Sequence, residues 1–259
     1  SPAGGNGDSW LFSMSGDGRY VLFASSANNL TLVSSNRPMP VVFPARLNAY
    51  LRDRTNDTST LVSINLAGMA GGTGDSLPVS ISTNGQYVLF ESDASDLIPG
   101  DTNNTTDVFI RDLVGGTTVL VSANTNGGVG NGVCRGSVMT PDGRYVAFVS
   151  TATDLVAGDT NRIPDVFVRD LVSGVTTLAS VGAMSTNANL GIGGSEWPDL
   201  TPDGRFVAFA STATNLVAGV QTVGDIYVRD LVAGTTHWAS VDARSVMQSV
   251  LGVSSAVCY

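Results

Sequence analysis

The chain has 259 residues, 30 of them glycine, and a formal net charge of −9 at pH 7. Such an acidic balance disfavours nucleic acids and anionic membrane surfaces as partners, and no apolar run is long enough to span a bilayer. All 13 basic residues are Arg, and only Glu91 and Glu196 among the 22 acidic residues are Glu. Because Lys and Glu favour exposed helix faces, their scarcity indicates an all-β, turn-rich chain.

One motif recurs four times along the chain. A hairpin signal of the Asp-Gly-Arg type is followed by an Arg-Asp doublet, and the doublets lie 59, 58 and 60 residues apart. The hairpin signals are Asp17–Tyr20, Asn84–Tyr87, Asp142–Tyr145 and Asp203–Phe206, and the doublets are Arg52-Asp53, Arg111-Asp112, Arg169-Asp170 and Arg229-Asp230. A fixed period of this size is typical of a modular repeat architecture.

The third copy shows the unit most clearly. Its predicted strands are Ser137–Thr140, Tyr145–Val149, Asp165–Asp170 and Thr176–Val181. The Asp-Gly hairpin and the β-branched and aromatic runs predict antiparallel pairing. A sheet of four strands cannot hide both of its faces alone, so neighbouring units must stack on it. We therefore predict an all-β fold, a β-propeller of four-stranded antiparallel blades, in preference to a linear solenoid with parallel pairing.

The repeats predict blades over residues 8–66, 75–124, 133–182 and 194–241. The first copy has its own opening strand, Ser9–Met14. Residues 246–259 are expected to start a further blade or to form a docked tail strand, with Gly252–Tyr259 as the strand itself. The chain thus has at least four blades, either as part of a larger propeller or as a closed four-blade ring. Its start, without a basic segment followed by an apolar one, fits a mature exported protein or an excised fragment.

The strand after each hairpin, such as Tyr145–Val149, and the strand ending in each doublet, such as Asp165–Asp170, resemble the TolB-type repeat of bacterial propellers. The resemblance extends from about Asp8 to Ser240. It implies a propeller fold and a periplasmic or extracellular protein, but such repeats occur in scaffolds, in binding modules and beside peptidases, so it does not define a function.

Two loops between second and third strands repeat an Asp-x-Asn pattern with a further Asp four residues later. Their oxygen-bearing residues are Asp101, Asn103 and Asp107 in copy two, and Asp159, Asn161 and Asp165 in copy three. Several oxygen ligands on one tight loop suit a hard cation, so Ca²⁺ is the one cofactor that the sequence predicts. The alternative is that these side chains only close turns through bonds to the backbone.

Residues specific to one copy predict a protein-binding face. They are Trp10, Arg37, Met39, Arg46, Arg135 and Trp197. Aromatic and Arg side chains are enriched at interface hot spots. The alternative is that Trp10 and Trp197 fill the core beneath the first strand of their blades.

The remaining candidates favour structural roles. Arg and Asp of a doublet point to opposite faces of a strand, so we expect the Arg to pack between blades and the Asp to cap the following turn. His237, the single histidine, is expected outside the core on an outer strand, and Trp238 inside it. Cys134 and Cys258 are either small buried hydrophobes or one disulfide across the array.

These patterns favour a non-enzymatic propeller that binds a protein, as a scaffold or subunit of a bacterial envelope or extracellular assembly. The chain contains no Gly-x-Ser-x-Gly elbow and no marked serine partner for its histidine. One alternative is a calcium-dependent carbohydrate-binding or adhesive module. Another is the propeller portion of a peptidase or a polysaccharide lyase.

Overall fold

The computed structural model describes residues 4–32, 45–184, 193–220 and 224–241, which form sixteen strands. The strands are β1 (Ser9–Met14), β2 (Tyr20–Ser25), β3 (Asn48–Asp53), β4 (Thr58–Leu61), β5 (Ser76–Ile81), β6 (Tyr87–Ser92), β7 (Asp107–Asp112), β8 (Thr117–Leu120), β9 (Cys134–Met139), β10 (Tyr145–Ser150), β11 (Asp165–Asp170), β12 (Val175–Leu178), β13 (Ser195–Leu200), β14 (Phe206–Ser211), β15 (Asp225–Asp230) and β16 (Thr235–Trp238). Within these ranges there is no helix of the length and hydropathy needed to cross a membrane.

The strands form four antiparallel sheets of four consecutive strands each. We call the sheets blades 1 to 4; blade 1 is β1–β4, blade 2 β5–β8, blade 3 β9–β12 and blade 4 β13–β16. The all-β propeller prediction is confirmed, as are the bounds of β1 and β11. In blade 3, β9 begins at Cys134 instead of the predicted Ser137. A bulge interrupts its pairing with β10 between Arg135 and Val138, and the pairing continues on the N-terminal side of the bulge. β12 ends at Leu178, short of the predicted Val181.

Each blade has two apolar faces, because side chains alternate across a strand. The leading face packs on the preceding blade; in blade 3 it carries Val146, Phe148 and Phe167, which cluster with blade 2. The trailing face packs on the following blade; in blade 3 it carries Ala147, Val149, Val166 and Val168, which cluster with blade 4. A stacked ring pair centres every leading face, with centroids 5.4 to 6.0 Å apart: Phe23–Tyr50, Phe90–Phe109, Phe148–Phe167 and Phe209–Tyr227.

The hairpin glycines join neighbouring blades. Gly143 has φ +80° and lies against the ring of Tyr87 in the preceding blade, so a Cβ on it would come within 2.6 Å of Tyr87 Cδ2. Gly85 and Gly204 lie in the same way on Tyr20 and Tyr145. The glycine is therefore needed twice, for the positive φ of the turn and for the close contact between blades.

The two halves of the sequence motif meet in space. The hairpin Arg144 pairs with the doublet Asp170 through Nη2 and Oδ2 at 2.9 Å, and its guanidinium covers the Tyr145 ring at 4.7 Å. The same ion pair occurs in blades 1 and 4, and Gln86 replaces the arginine in blade 2 with a 3.1 Å bond to Asp112. Each doublet Asp also accepts backbone N–H groups of the following turn, as predicted.

The doublet arginines are held within their own blades. Arg111 donates to Thr118 Oγ1 at 3.0 Å on the outer strand of blade 2. Arg169 donates to Thr176, and Arg229 donates to Thr236, on the outer strands of blades 3 and 4. Burial lowers the pKa of Arg111 and of Arg169. The bonds that these arginines make therefore brace the third strand against the fourth.

Candidate functional site on the inner strands

The first strand of each blade lies innermost, since β1, β5, β9 and β13 contact one another in succession. Every one of them is interrupted by a bulge that shifts its register against the second strand. Bulges re-aim side chains and are frequent beside binding sites. The inner strands thus line one side of the blades, which we call the inner surface, and some of their side chains, such as Trp10 and Trp197, are exposed there instead of packing between blades.

Trp197 is the most unusual residue on this surface. It lies in the bulge of β13 with φ +54°, at the position that Gly136, with φ +60°, takes in β9. A left-handed conformation costs a residue with a side chain about 1 to 2 kcal/mol. Its indole is nevertheless 70% exposed, so the described residues supply little packing that offsets this strain.

An ion pair joins the inner strands of blades 3 and 4 at the residue that precedes Trp197. Arg135 on β9 donates from Nη2 to Glu196 Oε1 on β13 at 2.5 Å, which joins the inner strands of blades 3 and 4. Both partners are partly exposed, so the bond positions the pair more than it stabilises the fold. A planar cation, a carboxylate and an exposed indole thus lie within one stretch of the inner surface.

The other predicted contact residues are distributed differently. Trp10 lies on the inner strand of blade 1 and is 49% exposed. Arg46 is half-buried just before β3, while Arg37 and Met39 lie outside the described residues. The alternative that Trp10 and Trp197 fill the core is wrong. The repeat alignment that pairs Trp197 with Gly136 was the sequence signal for its exposure.

The two Asp-x-Asn loops are tightly bonded. In blade 2, Asn103 Nδ2 donates to Asp107 Oδ2 at 2.8 Å and to Gly130 O at 3.0 Å. In blade 3, Asn161 Nδ2 donates to Ala183 O at 3.1 Å. Asp101 and Asp159 are buried and have pKa values raised by burial. No group of three or more acidic, His or Cys side chains in the four described ranges is arranged to hold a metal.

A buried row of polar side chains crosses each blade beside these loops. In blade 3 it runs from Cys134 to Ser150, Asp165 and Ser180, and Ser180 Oγ donates to Asp165 Oδ1 at 2.5 Å. Burial raises the pKa of Asp165 to about 6, although Ser180 lowers it. Asp107 in blade 2, bonded to Ser122, has its pKa raised by burial to about 6 as well.

One atom of this row is unsatisfied. Among the residues described, Asp165 Oδ2 is buried without a hydrogen bond of normal geometry, although Asn161 is close enough to lower the pKa of Asp165, whereas the matching oxygen of Asp107 accepts from Asn103 at 2.8 Å. An unsatisfied carboxylate oxygen in a buried site favours the protonated acid or a bound cation. The calcium site therefore stays a prediction, and blade 3 is its better candidate.

The single histidine and the described cysteine have structural surroundings. His237 is exposed on the outer strand β16, 3.3 Å from Thr235 Oγ1, and Trp238 is partly buried against the core, both as predicted. Cys134 is buried, with Sγ 3.3 Å from Ser150 Oγ, and burial raises its pKa to about 12. Such a thiol is inert. Cys258 lies outside the described residues, and so does the predicted tail strand.

No protein-family model matches the chain, and no curated protein matches its sequence. Solved structures do resemble it. A TolB-type protein from Agrobacterium tumefaciens is 18% identical with a TM-score of 0.49, over 87% of this chain and 62% of that one. TolB from Acinetobacter baumannii is 16% identical with a TM-score of 0.47, over 90% and 43%. A chain from a study of two prolyl endopeptidases is 11% identical with a TM-score of 0.51, over 90% and 29%.

At these identities the likeness concerns the fold alone. The chain spans less than two thirds of the length of either TolB structure. Together with the order of the strands in its own sheets, the likeness to the chain from the prolyl endopeptidase study defines the protein as a β-propeller.

Proposed function

We propose that this chain is a non-enzymatic propeller that binds a protein partner on its inner surface, as a scaffold or subunit of an exported assembly. The observation that carries the proposal is Trp197, a strained and exposed tryptophan at a bulge where blade 3 has glycine. Strain of this kind persists at functional sites, where binding can offset it.

The surroundings of Trp197 suit a protein surface. Tryptophan and arginine are among the side chains most enriched at hot spots, and Arg135 is bonded to Glu196, the residue that precedes Trp197. The blade interiors supply rigidity, through the stacked ring pairs and the buried polar rows. A rigid scaffold lowers the entropy cost of binding.

The test compares the wild type with Trp197→Gly, which restores the residue that blade 3 uses at this position. Both proteins are immobilised and exposed to the periplasmic and secreted proteins of the source organism, and retained proteins are quantified by mass spectrometry. We expect at least one protein to be retained about tenfold less by Trp197→Gly. Val172→Ala, which removes an exposed apolar side chain from an outer turn, is the matched control. Equal retention by all three proteins would refute the proposal.

The unsatisfied Asp165 oxygen favours a second candidate, a calcium-dependent carbohydrate-binding module. Calcium would be coordinated by oxygens of the Asp159–Asp165 loop, and the ion would rigidify the loop for sugar binding. Calorimetric titration with CaCl₂, followed by a glycan array with and without chelator, tests it. Heat of binding that disappears in Asp165→Asn would support this function, and no heat in the wild type would exclude it.

A further inference from the structure

The first and last blades each have one apolar face without a neighbour among the described residues. On the trailing face of blade 4, Ile226 is 37% exposed and Ala239 is exposed, whereas Val166 and Ala179 at the same positions of blade 3 are fully buried. On the leading face of blade 1, Val21 is partly exposed, whereas Val146 at the same position of blade 3 is fully buried. Faces that are buried at every internal junction are thus open at both ends.

The two open faces are of the kinds that fit each other. At each internal junction a trailing face receives the leading face of the next blade, with its stacked ring pair. Blade 1 presents such a leading face, in which Phe23 stacks on Tyr50 at 5.4 Å. Blade 4 presents a trailing face of small and β-branched residues: Ala208, Ala210, Ile226 and Val228.

The hairpin contact is incomplete at the same two ends. A Cβ on Gly18 in blade 1 would meet only Arg54 Nη1, at 3.6 Å, whereas each later hairpin glycine lies on a ring of the blade before it. In blade 4, Phe206 occupies the position of those rings, and no described glycine lies on it. Gly18 and Phe206 therefore supply the two missing halves of one more junction.

A backbone bond marks each junction as well. The first residue of an inner strand donates its N–H to the residue before the third strand of the preceding blade: Ser76 to Leu47, Cys134 to Thr106 and Ser195 to Pro164, at 2.7 to 2.8 Å. The corresponding residues at the two ends are Ser9 and Gly224. Apolar faces, hairpins and backbone groups thus all continue the established interface from blade 4 to blade 1.

We propose that a second copy of this chain covers these faces. The leading face of blade 1 in one copy packs on the trailing face of blade 4 in the other, at two equivalent junctions. Head-to-tail contacts form rings when the rotation closes. The four described blades of two copies together make an eight-blade ring, the largest size typical of propellers, whereas those of three copies would exceed it.

The experiment measures mass by light scattering after gel filtration. The wild type is expected at twice the 26.6 kDa chain mass. Val21→Asp and Ile226→Asp place a charge on one end face each, at positions that are buried at the internal junctions, so each variant alone is expected to be a monomer. An equimolar mixture retains one intact junction, so we expect it to regain dimers with a dissociation constant at least tenfold weaker than that of the wild type. Val114→Asp, an exposed apolar position on an outer turn of blade 2, is the control and should remain a dimer.

A wild type that stays at 26.6 kDa at all concentrations would overturn the proposal. A dimer that remains intact in one of the two single variants would overturn it as well. Such a dimer would join two copies of the same face, so a charge on the other face would not disturb it. Circular dichroism and urea unfolding of each variant separate loss of assembly from loss of fold. If Val21→Asp unfolds, Gly18→Ala tests the same junction, because its Cβ would meet Phe206 of the second copy. A Gly18→Ala dimer as tight as the wild type would also overturn it.

Discussion

The buried carboxylates predict that this propeller loses stability as the pH rises from about 4 to about 7. Burial raises the pKa of Asp107 and of Asp165 from 3.8 to about 6 in the folded chain. Between these values the folded state holds protons that the unfolded state has released. The stabilisation is complete below the unfolded pKa and is lost as the pH rises through the folded one.

The size of the effect follows from the shift. One pKa unit corresponds to about 1.4 kcal/mol, so each carboxylate accounts for about 3 kcal/mol of lost unfolding free energy. Asp165→Asn should remove its share of the slope and raise the stability at about pH 7.5. The substitution is tolerable because blade 1 has Asn48 at this position, where it accepts from Ser63 Oγ at 3.4 Å.

Urea unfolding at about pH 4.5, 6 and 7.5 measures this, with Asp8→Asn at an exposed position as the control. The buffers contain EDTA, so that no divalent cation compensates the carboxylates. A wild type whose unfolding free energy is constant or rises over this range would refute the reasoning. So would Asp165→Asn being less stable than the wild type at about pH 7.5, because the ionised carboxylate would then be compensated inside the fold.

Three further predictions concern the blade architecture, each measured by urea unfolding at neutral pH. Gly143→Ala should destabilise by at least about 1 kcal/mol more than Gly158→Ala, since both have positive φ but only Gly143 lies against a ring; equal losses would refute the role of the Tyr87 contact. Arg144→Gln, which copies Gln86 of blade 2, should lower the free energy of unfolding by less than about 1 kcal/mol, because the ion pair is partly exposed. A loss above about 2 kcal/mol would show that the pair is central to the fold. Phe167→Ala should lower the free energy of unfolding by about 3 to 5 kcal/mol, whereas Val172→Ala, at an exposed position, should lower it by less than about 0.5 kcal/mol. A loss near about 1 kcal/mol for Phe167→Ala would mean that the core closes around the cavity.

The local features of the fold could be predicted from the sequence because their causes are local. An Asp-Gly turn with a following β-branched run determines a hairpin wherever it occurs, and strand β11 matched its predicted bounds. The Arg144–Asp170 pair could not be deduced from either motif alone, because its 26-residue separation closes only when the second and third strands pair. The alternative that Trp197 fills the core failed for a related reason: a bulge is a property of two paired strands, and strand β13 alone does not show it.

The repeats also indicate where in the molecule function can vary. Contacts between blades depend mainly on the second and third strands, whose sequences are nearly the same in all four copies, for example Asp107–Asp112 and Asp165–Asp170. The inner strands share little beyond a small first residue, which is Ser in three blades and Cys in blade 3, as the difference between Cys134–Met139 and Ser195–Leu200 shows. Because the ring pairs and polar rows already hold the blades together, an inner strand can accept a residue that the fold itself disfavours. Trp197, strained in its bulge and exposed, is such a residue, and a partner that contacts its indole would provide the packing that the described residues do not.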